Sequence, residues 1–222
     1  MAIIEVTDLK KYYQSGDERV EALRGIDLRI ERGEFVTIMG ESGSGKSSLL
    51  AILGGMSQPS GGEITVAGER LYDLPQEQLA DFRAGRLGFV FQSFHLVPYL
   101  TAAENVMLPL AVRREKAAAK KAAALAALER VGLAAKADRL PSQLSGGEQE
   151  RVAIARAIVN QPELILADEP TGNLDSKTGE GVMALFRELN SAGQTVVMVT
   201  HNPENGAYAD RTIVLRDGLI VG

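Results

Sequence analysis

A glycine-rich segment, Gly40-Glu-Ser-Gly-Ser-Gly-Lys46-Ser47, has the residue types and the spacing that bind a nucleoside triphosphate. It matches the pattern G-x-x-x-x-G-K-[ST] and lies between a strand-like apolar run and a helix-like run. Glycines let backbone N–H groups converge on a phosphate, and the helix that begins near Lys46 points its positive end there. We expect Lys46 to reach the β- and γ-phosphates and Ser47 to ligate Mg²⁺. The alternative is a glycine-rich turn that matches the pattern by chance.

Two adjacent carboxylates follow an apolar run in Leu164-Ile-Leu-Ala-Asp168-Glu169-Pro170. Burying two acids at the end of a strand costs free energy unless a cation or solvent contacts them. A nucleoside triphosphatase needs such a carboxylate to hold Mg²⁺. Because successive strand residues point to opposite faces, both acids can serve one site only if the chain bends there. We assign Asp168 to the magnesium shell and Glu169 to polarising the attacking water. A surface acidic turn is the alternative.

A third segment, Leu144-Ser145-Gly146-Gly147-Glu148-Gln149, precedes a run with helical spacing. Ser145 is a suitable N-cap, and the two glycines leave N–H groups open at the helix start. The pattern predicts a second helix N-terminus that binds phosphate, without a lysine of its own. The alternative is an ordinary capping box, in which Ser145 and Glu148 each accept a hydrogen bond from the other's backbone N–H.

The residues between these segments predict the elements that position them. Ile26, Leu28 and Ile30 alternate with polar residues, which indicates short strands with one buried face in the first forty residues. The run 35–39 is apolar on both faces, as is typical of a strand inside a covered parallel sheet. The helix after the glycine-rich segment is predicted to stop at Gly54-Gly55.

The rest of the chain predicts strands that alternate with helices, which implies a parallel α/β sheet. A hairpin is predicted at Asp217-Gly218, a dipeptide that suits a tight turn. The predicted elements are strands at 64–66, 87–91, 164–167 and 195–200, a helical stretch from about 101 to 132, a helix after Ser145, and a helix at 176–190.

The composition excludes several classes of function. The length of 222 residues fits one large domain or a domain with an added lobe. With 24 Lys and Arg against 29 Asp and Glu, the net charge of -5 argues against a protein that coats nucleic acid. The absence of cysteine excludes disulfides, thiolate metal sites and thiol nucleophiles. We interpret the basic cluster Arg113, Arg114, Lys116, Lys120 and Lys121 as a solvated helix face rather than a membrane or nucleic-acid contact.

The hydropathy pattern predicts neither a signal peptide nor a membrane span. Glu5 interrupts the first apolar residues, and no uncharged apolar run approaches the roughly 18 residues that span a bilayer. We therefore expect a cytoplasmic protein whose membrane role comes through a partner.

Together, the three segments resemble the nucleotide-binding domain of ATP-binding cassette (ABC) transporters, and residues 144–149 resemble that family's signature sequence. The similarity runs through nearly the whole chain in the expected order. It implies an α/β P-loop NTPase fold of the ABC ATPase type, with a parallel-sheet core, an N-terminal antiparallel β-subdomain and a helical signature lobe. In the implied single domain 1–222, the core and β-subdomain take about 1–91 and 160–222, and the lobe takes about 92–159.

The resemblance adds residues that could not be interpreted alone. Gln92 matches the Q-loop glutamine, which senses Mg²⁺ and the attacking water and couples to the membrane subunit. Asn173-Leu174-Asp175 matches the D-loop, and His201 matches the switch histidine that contacts the γ-phosphate. Tyr13 resembles the aromatic residue that stacks on adenine, with simple packing, or the neighbouring Tyr12, as alternatives.

The resemblance thus implies three overlapping sets of site residues and one departure from the family. Asn202 follows His201 where many relatives have aspartate. This departure bears on the role of that aspartate in the relatives and does not affect the role assigned to His201. The implied catalytic residues are Lys46, Gln92, Glu169 and His201. The implied Mg²⁺ ligands are Ser47, Gln92 and Asp168. The implied ATP contacts are Tyr13, Gly40, Glu41, Ser42, Gly43, Ser44, Gly45, Lys46, Ser47, Ser48, Ser145, Gly146, Gly147 and Glu148.

The resemblance also implies the partners. Two such domains meet head to tail as a homodimer, and each ATP lies between one chain's glycine loop and the other chain's Ser145-Gly146-Gly147. Positioning and electrostatic stabilisation carry the hydrolysis, and loss of the γ-phosphate opens the dimer. The opening drives an integral membrane permease, which holds the chain at the cytoplasmic face of the inner membrane. No nucleic acid is expected.

Several details resemble the ATPases of macrolide-efflux and lipoprotein-releasing transporters and their cell-division relative: residues 16–23, 94–101 with 104–106, and 168–175. They imply a subunit that hydrolyses ATP to drive a separate permease. A regulatory ATPase of a cell-division complex is the alternative. A soluble ABC ATPase of DNA repair or translation is disfavoured by the short chain.

A cluster of apolar residues follows Gln92, namely Phe94, Leu96, Val97, Tyr99 and Leu100. It either packs inside the lobe or forms part of a groove that receives a short cytoplasmic helix of a permease. The resemblance favours the groove.

Overall fold

A computed structural model describes residues 1–15 and 18–221, so Gly16, Asp17 and Gly222 lie outside the described residues. Gly16 and Asp17 begin the segment 16–23 that resembles the transporter branch. The strands are β1 Ala2–Ser15, β2 Glu18–Glu31, β3 Phe35–Met39, β4 Gly61–Val66, β5 Glu69–Arg70, β6 Leu87–Phe91, β7 Leu164–Asp168, β8 Thr195–Thr200, β9 Arg211–Arg216 and β10 Leu219–Ile220. The α-helices are α1 Lys46–Leu53, α2 Gln76–Arg86, α3 Ala102–Met107, α4 Ala117–Arg130, α5 Gly146–Ile158 and α6 Ser176–Ser191.

Two sheets organise the chain. The larger sheet has the strand order β10-β9-β3-β8-β7-β6, in which all neighbouring pairs from β9 to β6 are parallel. The smaller sheet is antiparallel and has the order β2-β1-β4-β5. The predicted fold class, a parallel-sheet core with an N-terminal antiparallel β-subdomain and a set of helices, is therefore confirmed.

The central strands are apolar on both faces because both faces of the large sheet are covered. Val196 and Met198 of β8 pack into a cluster with α3, α4, α5 and α6, whereas Val197 and Val199 pack into a second cluster with α1 and the small sheet. All six residues of β8 are buried. In the first cluster the rings of Phe35 and Phe186 have centroids 6.5 Å apart. The expected pattern of a parallel strand covered on both sides is present.

The structure differs from expectation in the length of the first strands and in one helix. β1 and β2 each have 14 residues rather than being short, because they pair with each other through several register shifts beyond the alternating residues. Helix α2 was not expected, and Phe82 is its only buried residue. Such a helix has no apolar stripe that would reveal a helical period.

Three surface features bear on the remaining expectations from the sequence. The basic cluster is not a single helix face, since Arg113, Arg114 and Lys116 lie on the exposed loop before α4 and only Lys120 and Lys121 lie in its first two turns. The hairpin at Asp217-Gly218 is present, with positive φ at both residues. Among the described residues, no helix has the length and apolar character needed to cross a membrane.

Candidate nucleotide-binding site

The order of the parallel strands brings the ends of β3, β8, β7 and β6 to one edge of the large sheet. Met39 pairs with Thr200, Asp168 with Val199, and Phe91 with Asp168. The residues that follow these strands are Gly40, His201, Glu169 and Gln92. Four chain segments that are distant in sequence therefore converge on one place, as expected at the carboxyl edge of such a sheet.

The segment Gly40–Ser47, which we call the phosphate loop, is a turn that requires glycine at defined positions. Gly45 precedes α1 with a φ of 104°, in the left-handed region that favours glycine. A Cβ at Gly45 would lie 2.4 Å from the carbonyl oxygen of Ala22, and one at Gly40 would lie 2.2 Å from that of Leu215. The loop is thus packed between β2 and β9, and no residue with a side chain fits at either glycine.

Lys46 and Ser47 begin α1 and face the loop. Lys46 is buried, and its Nζ donates hydrogen bonds to the carbonyl oxygens of Gly40 at 2.7 Å and Glu41 at 2.9 Å. Ser44 Oγ is also buried and has no hydrogen-bond partner among the described residues. The loop therefore offers an ammonium group, a free hydroxyl and a helix N-terminus, and these groups suit an anionic phosphate.

Asp168 ends β7 and faces Ser47. The Ser47 Oγ lies 3.5 Å from Asp168 Oδ1. Burial raises the pKa of the Asp168 carboxyl, and the charge of Glu169 raises it further, while the hydrogen bond from Ser47 and the charge of Lys46 act in the opposite direction. A bound cation relieves the cost of keeping Asp168 ionised in this partly buried position beside a second acid.

The bend expected after Asp168 is present at Glu169. Its φ is 47°, and its N–H donates to the carbonyl oxygen of Val199 at 3.0 Å. Its carboxylate turns towards the same edge as Asp168, where Oε1 lies 2.9 Å from Nδ1 of His201 and Oε2 accepts the backbone N–H of His201 at 3.3 Å. The Glu169 side chain is largely buried, whereas the His201 ring is mostly exposed. The carboxylate is thereby fixed with one side towards open space.

Gln92 follows β6 and is exposed at the same edge. Its backbone carbonyl accepts a hydrogen bond of 2.8 Å from Nδ2 of Asn173. A Cβ at Gly172 would lie only 2.8 Å from Nε2 of Gln92, so a glycine is needed there for this glutamine conformation. The D-loop residues thus contact the Q-loop glutamine directly.

Tyr13 is nearer to the phosphate loop than Tyr12. The Tyr13 hydroxyl lies 3.2 Å from the Oγ of Ser48 in the first turn of α1, whereas the Tyr12 ring is covered by the guanidinium of Arg19 at 3.9 Å. The two tyrosines are similarly exposed, at 44% for Tyr13 and 40% for Tyr12, and the Nζ of Lys11 lies 4.9 Å from the centroid of the Tyr13 ring. The contact with Ser48 places Tyr13, and not Tyr12, next to the phosphate loop.

The signature segment 144–149 forms a complete capping box at the start of α5. Ser145 Oγ accepts from the N–H of Glu148 at 3.4 Å, and Glu148 Oε2 accepts from the N–H of Ser145 at 2.9 Å. Lys136 forms an ion pair with Glu148 and lowers the pKa of that carboxyl, and the hydrogen bond from Ser145 lowers it further. The alternative of a capping box is thus real, and it leaves the open N–H groups of the first turn available.

Most of the expected site residues line one cavity of about 1080 Å³. Tyr13 and the signature residues are not among the described residues that line it. Gly146 and Gly147 lie instead near Leu174 and Thr178, at the start of α6. The cavity is lined by residues 40–48, by Gln92, Asp168, Glu169 and His201, and by residues 214–217 at the end of β9.

The donor set tests whether Mg²⁺ fits. A serine hydroxyl and a carboxylate, with an amide in the same cavity, are the oxygen ligands that Mg²⁺ prefers. No group of three or more His, Asp or Glu side chains that could hold a metal occurs within residues 1–15 and 18–221. The residues fit a Mg²⁺ that takes its other ligands from phosphates and water.

Sequence reasoning missed one wall of this site. The wall formed by Leu215 and Asp217 depends on β9 pairing with β3, which leaves no local pattern in the sequence. Asn202, which the sequence marks as a departure from the family, caps the short helix that begins at Pro203, because its Oδ1 accepts the N–H of Glu204 at 3.0 Å. Asparagine and aspartate serve such a cap about equally well.

Comparisons with known proteins agree with this geometry. Residues 23–172 match the family model described as ABC transporter. The macrolide export ATP-binding/permease protein MacB of Chlorobium phaeobacteroides is 49% identical over 219 residues, which are 99% of this chain and 33% of that protein. This chain thus spans about a third of the length of such MacB relatives. An uncharacterized ABC transporter ATP-binding protein of Thermotoga maritima is 48% identical over 99% of this chain and 94% of its own length.

Solved structures of one cassette also match. The dimeric structure of MJ0796, a bacterial ABC transporter cassette, has a TM-score of 0.90 and 45% identity, and the match covers 99% of this chain and 97% of that one. A dimeric post-hydrolysis structure of MJ0796 bound to ADP and Pi has the same TM-score and 44% identity. On this evidence the chain belongs to the ABC transporter family, as one of its ATP-hydrolysing cassettes.

Proposed function

We propose that two copies of this chain bind two ATP between them and hydrolyse the ATP to drive a separate membrane permease of the macrolide-efflux or lipoprotein-release type. One observation carries the proposal: the phosphate loop and the acids share a cavity from which the signature is absent among the described residues. A signature that binds phosphate must therefore act on the ATP of another chain. The dimeric MJ0796 structures and the MacB relatives support this reading.

The proposed roles follow from the contacts. Lys46 stabilises negative charge on the β- and γ-phosphates, and Tyr13 stacks on the adenine. The Glu169 carboxylate, held by His201, accepts a hydrogen bond from the attacking water and orients the water in line with the γ-phosphate. The Gln92 amide lies in the same cavity. Ser47 and Asp168, with the Gln92 amide in the same cavity, would hold Mg²⁺, and the ion would neutralise charge on the phosphates.

The signature and the lobe complete the proposed ATP site between two chains. Ser145, Gly146 and Gly147 of one chain present N–H groups at a helix N-terminus to the γ-phosphate of the partner's ATP. The lobe, about 92–159, carries this helix and adjoins the core, about 1–91 and 160–222. In the cell, the permease keeps the cassette at the cytoplasmic face of the membrane.

The first experiment uses Glu169→Gln, which keeps an oxygen facing His201 and removes the negative charge. We expect turnover to fall at least about 100-fold, because general-base assistance contributes roughly 10²–10⁴-fold. ATP binding should persist and hold the variant as a dimer. Light scattering with and without ATP-Mg²⁺ measures this, with wild-type protein as the control.

Three results would count against the proposal. A variant that binds ATP but stays monomeric at high protein concentration contradicts the dimer. Unchanged turnover removes Glu169 from catalysis. Wild-type protein that binds ATP with little turnover would favour the regulatory alternative.

The second experiment tests whether the signature acts on the partner's ATP. Lys46→Ala damages the loop of one chain, and Gly146→Asp damages the signature of the other, so a hybrid dimer has one intact and one doubly damaged site. A Cβ at Gly146 meets only Leu174, at 3.4 Å, so the variant chain should fold. Partial recovery of ATPase activity in the mixture is expected.

The matched control mixes Lys46→Ala with Ser47→Ala. Both substitutions then lie in the phosphate loop, so each ATP site of a hybrid dimer contains a damaged loop. No recovery of ATPase activity is expected. Recovery in the control, or none in the test mixture once hybrids are proven, would contradict an ATP site shared between chains.

The third experiment tests the permease surface. Tyr99 is 79% exposed after the Q-loop, whereas Leu96 packs against the core, so Tyr99→Glu removes an apolar anchor without disturbing folding. We expect normal ATP binding and loss of co-purification with a permease encoded beside this chain. Val20→Glu, an exposed apolar residue of β2, is the control. Retained assembly of the Tyr99 variant would refute this contact.

A further inference from the structure

The chain adopts an unfavourable backbone conformation just after Gln92. Phe94 has a φ of 58° and His95 has a φ of 48°, so two successive residues with side chains lie in the left-handed region. A Cβ clashes with the following carbonyl in this region, and non-glycine residues adopt it in succession only when their surroundings hold them there. The segment 92–95 therefore needs an external support.

Arg156 is that support. Its Nη1 donates to the carbonyl oxygen of His95 and its Nη2 to that of Phe94, each at 2.6 Å. The planar fork of a guanidinium suits two neighbouring acceptors, whereas a lysine ammonium cannot match both in a fixed geometry. On the other side, Asn173 holds the carbonyl oxygen of Gln92.

Arg156 lies at the opposite end of the helix that begins with the signature. Helix α5 runs from Gly146 to Ile158, so Ser145 and Arg156 are roughly 16 Å apart along an unbroken helix with a rise of about 1.5 Å per residue. An arginine in a last helical turn often only complements the helix dipole. Here the guanidinium instead donates two hydrogen bonds to the segment after Gln92.

We propose that Arg156 is a positioning residue for Gln92. It holds segment 92–95 in the conformation that directs the glutamine towards the nucleotide cavity, and it joins that conformation to the position of the signature helix. A shift of α5 when the signature meets the partner's ATP moves the support of Gln92 with it. This inference rests on the proposed function for the roles of Gln92 and the signature.

The test compares Arg156→Lys and Arg156→Met in the full chain. We expect ATP affinity to change less than about twofold and kcat to fall about 100-fold in Arg156→Met and roughly tenfold in Arg156→Lys, since displacements near 1 Å can cost about 100-fold. Arg156→Lys keeps the charge and the stem, so it keeps the test valid if the methionine variant melts early. Arg130→Met, at the exposed end of α4, is the control for losing an arginine at a helix end and should keep wild-type kcat.

A double-mutant cycle separates positioning from general damage. If Arg156 acts through Gln92, then Gln92→Ala lowers kcat, and adding Arg156→Lys to it lowers kcat little further. Additive losses, or a wild-type kcat in both Arg156 variants, overturn the inference and leave the proposed function standing. A wild-type kcat in Gln92→Ala overturns the proposed role of Gln92 and this inference together.

Discussion

Replacing Glu150 by glutamine is expected to remove a pH-dependent loss of stability from the folded chain. Glu150 lies in α5, is fully buried, and neither carboxylate oxygen has a hydrogen-bond partner among the described residues. Burial raises the pKa of this carboxyl to about 8, with the guanidinium of Arg156 acting in the opposite direction. The folded chain therefore holds the Glu150 proton at neutral pH.

The sign and the size follow from linkage. Below the ordinary pKa of 4.5, Glu150 is protonated in both the folded and the unfolded chain, and its titration costs no stability. Between pH 4.5 and about 8 the unfolded chain releases the proton and the folded chain keeps it, so the free energy of unfolding falls as the pH rises. At about 1.4 kcal/mol for each pKa unit, the total loss is at most about 5 kcal/mol.

The assay is urea unfolding of wild type and Glu150→Gln at several pH values from 5 to 8. The buried glutamine amide also lacks partners, so the diagnostic quantity is the change with pH in the difference between the two free energies of unfolding. We expect that difference to shift in favour of Glu150→Gln by several kcal/mol across the range. Glu129→Gln, on an exposed helical site whose carboxylate stays in water on folding, should show no such shift. Parallel curves for wild type and Glu150→Gln would refute the reasoning.

Three further predictions follow from particular contacts. Gly172→Ala places a Cβ 2.8 Å from the amide of the Q-loop glutamine and should lower kcat in steady-state assays with ATP affinity unchanged. Gly181→Ala, with open space around it, should keep the wild-type kcat, and equal activities of the two variants would contradict this contact. Phe186→Ala should lower the free energy of unfolding in urea by about 3–5 kcal/mol, because the ring is fully buried, and a loss below 1 kcal/mol would refute its place in the core. Tyr13→Ala should weaken ATP binding by about 1–3 kcal/mol in calorimetry, as expected for one lost base stack, and Tyr12→Ala should not; the reverse order would assign the stacking to the other ring.

The parts of the fold that could be predicted are those with a local pattern. The strands β3, β7 and β8 are apolar runs because they are covered on both faces, and the phosphate loop and the signature each combine glycines with a helix start. Helix α2 could not be predicted, since Phe82 alone is buried in it. The strand order could not be predicted either, because pairing between distant segments leaves no trace in the neighbouring residues.

The candidate site divides in the same way. Asp168 and Glu169 could be selected because two acids end an apolar run, and even their bend was expected from the alternation of strand residues. Arg156 could not be selected, because its importance lies in two backbone carbonyls about 60 residues away in sequence. Hydrogen bonds to backbone atoms impose no residue type on the partner position, so no motif marks them.

The packing of the phosphate loop between β2 and β9 has a thermodynamic consequence. Ser44 accepts the N–H of Gly218 through its carbonyl at 3.1 Å, and Gly218 in turn accepts the N–H of Arg24 at 2.9 Å, so the loop, the hairpin and the antiparallel sheet share one chain of hydrogen bonds. Ordering a backbone residue costs about 1–2 kcal/mol in entropy, and here that cost falls on folding rather than on nucleotide binding. The loop meets its ligand preorganised, so substitutions that loosen β2 or the hairpin should weaken ATP affinity from a distance.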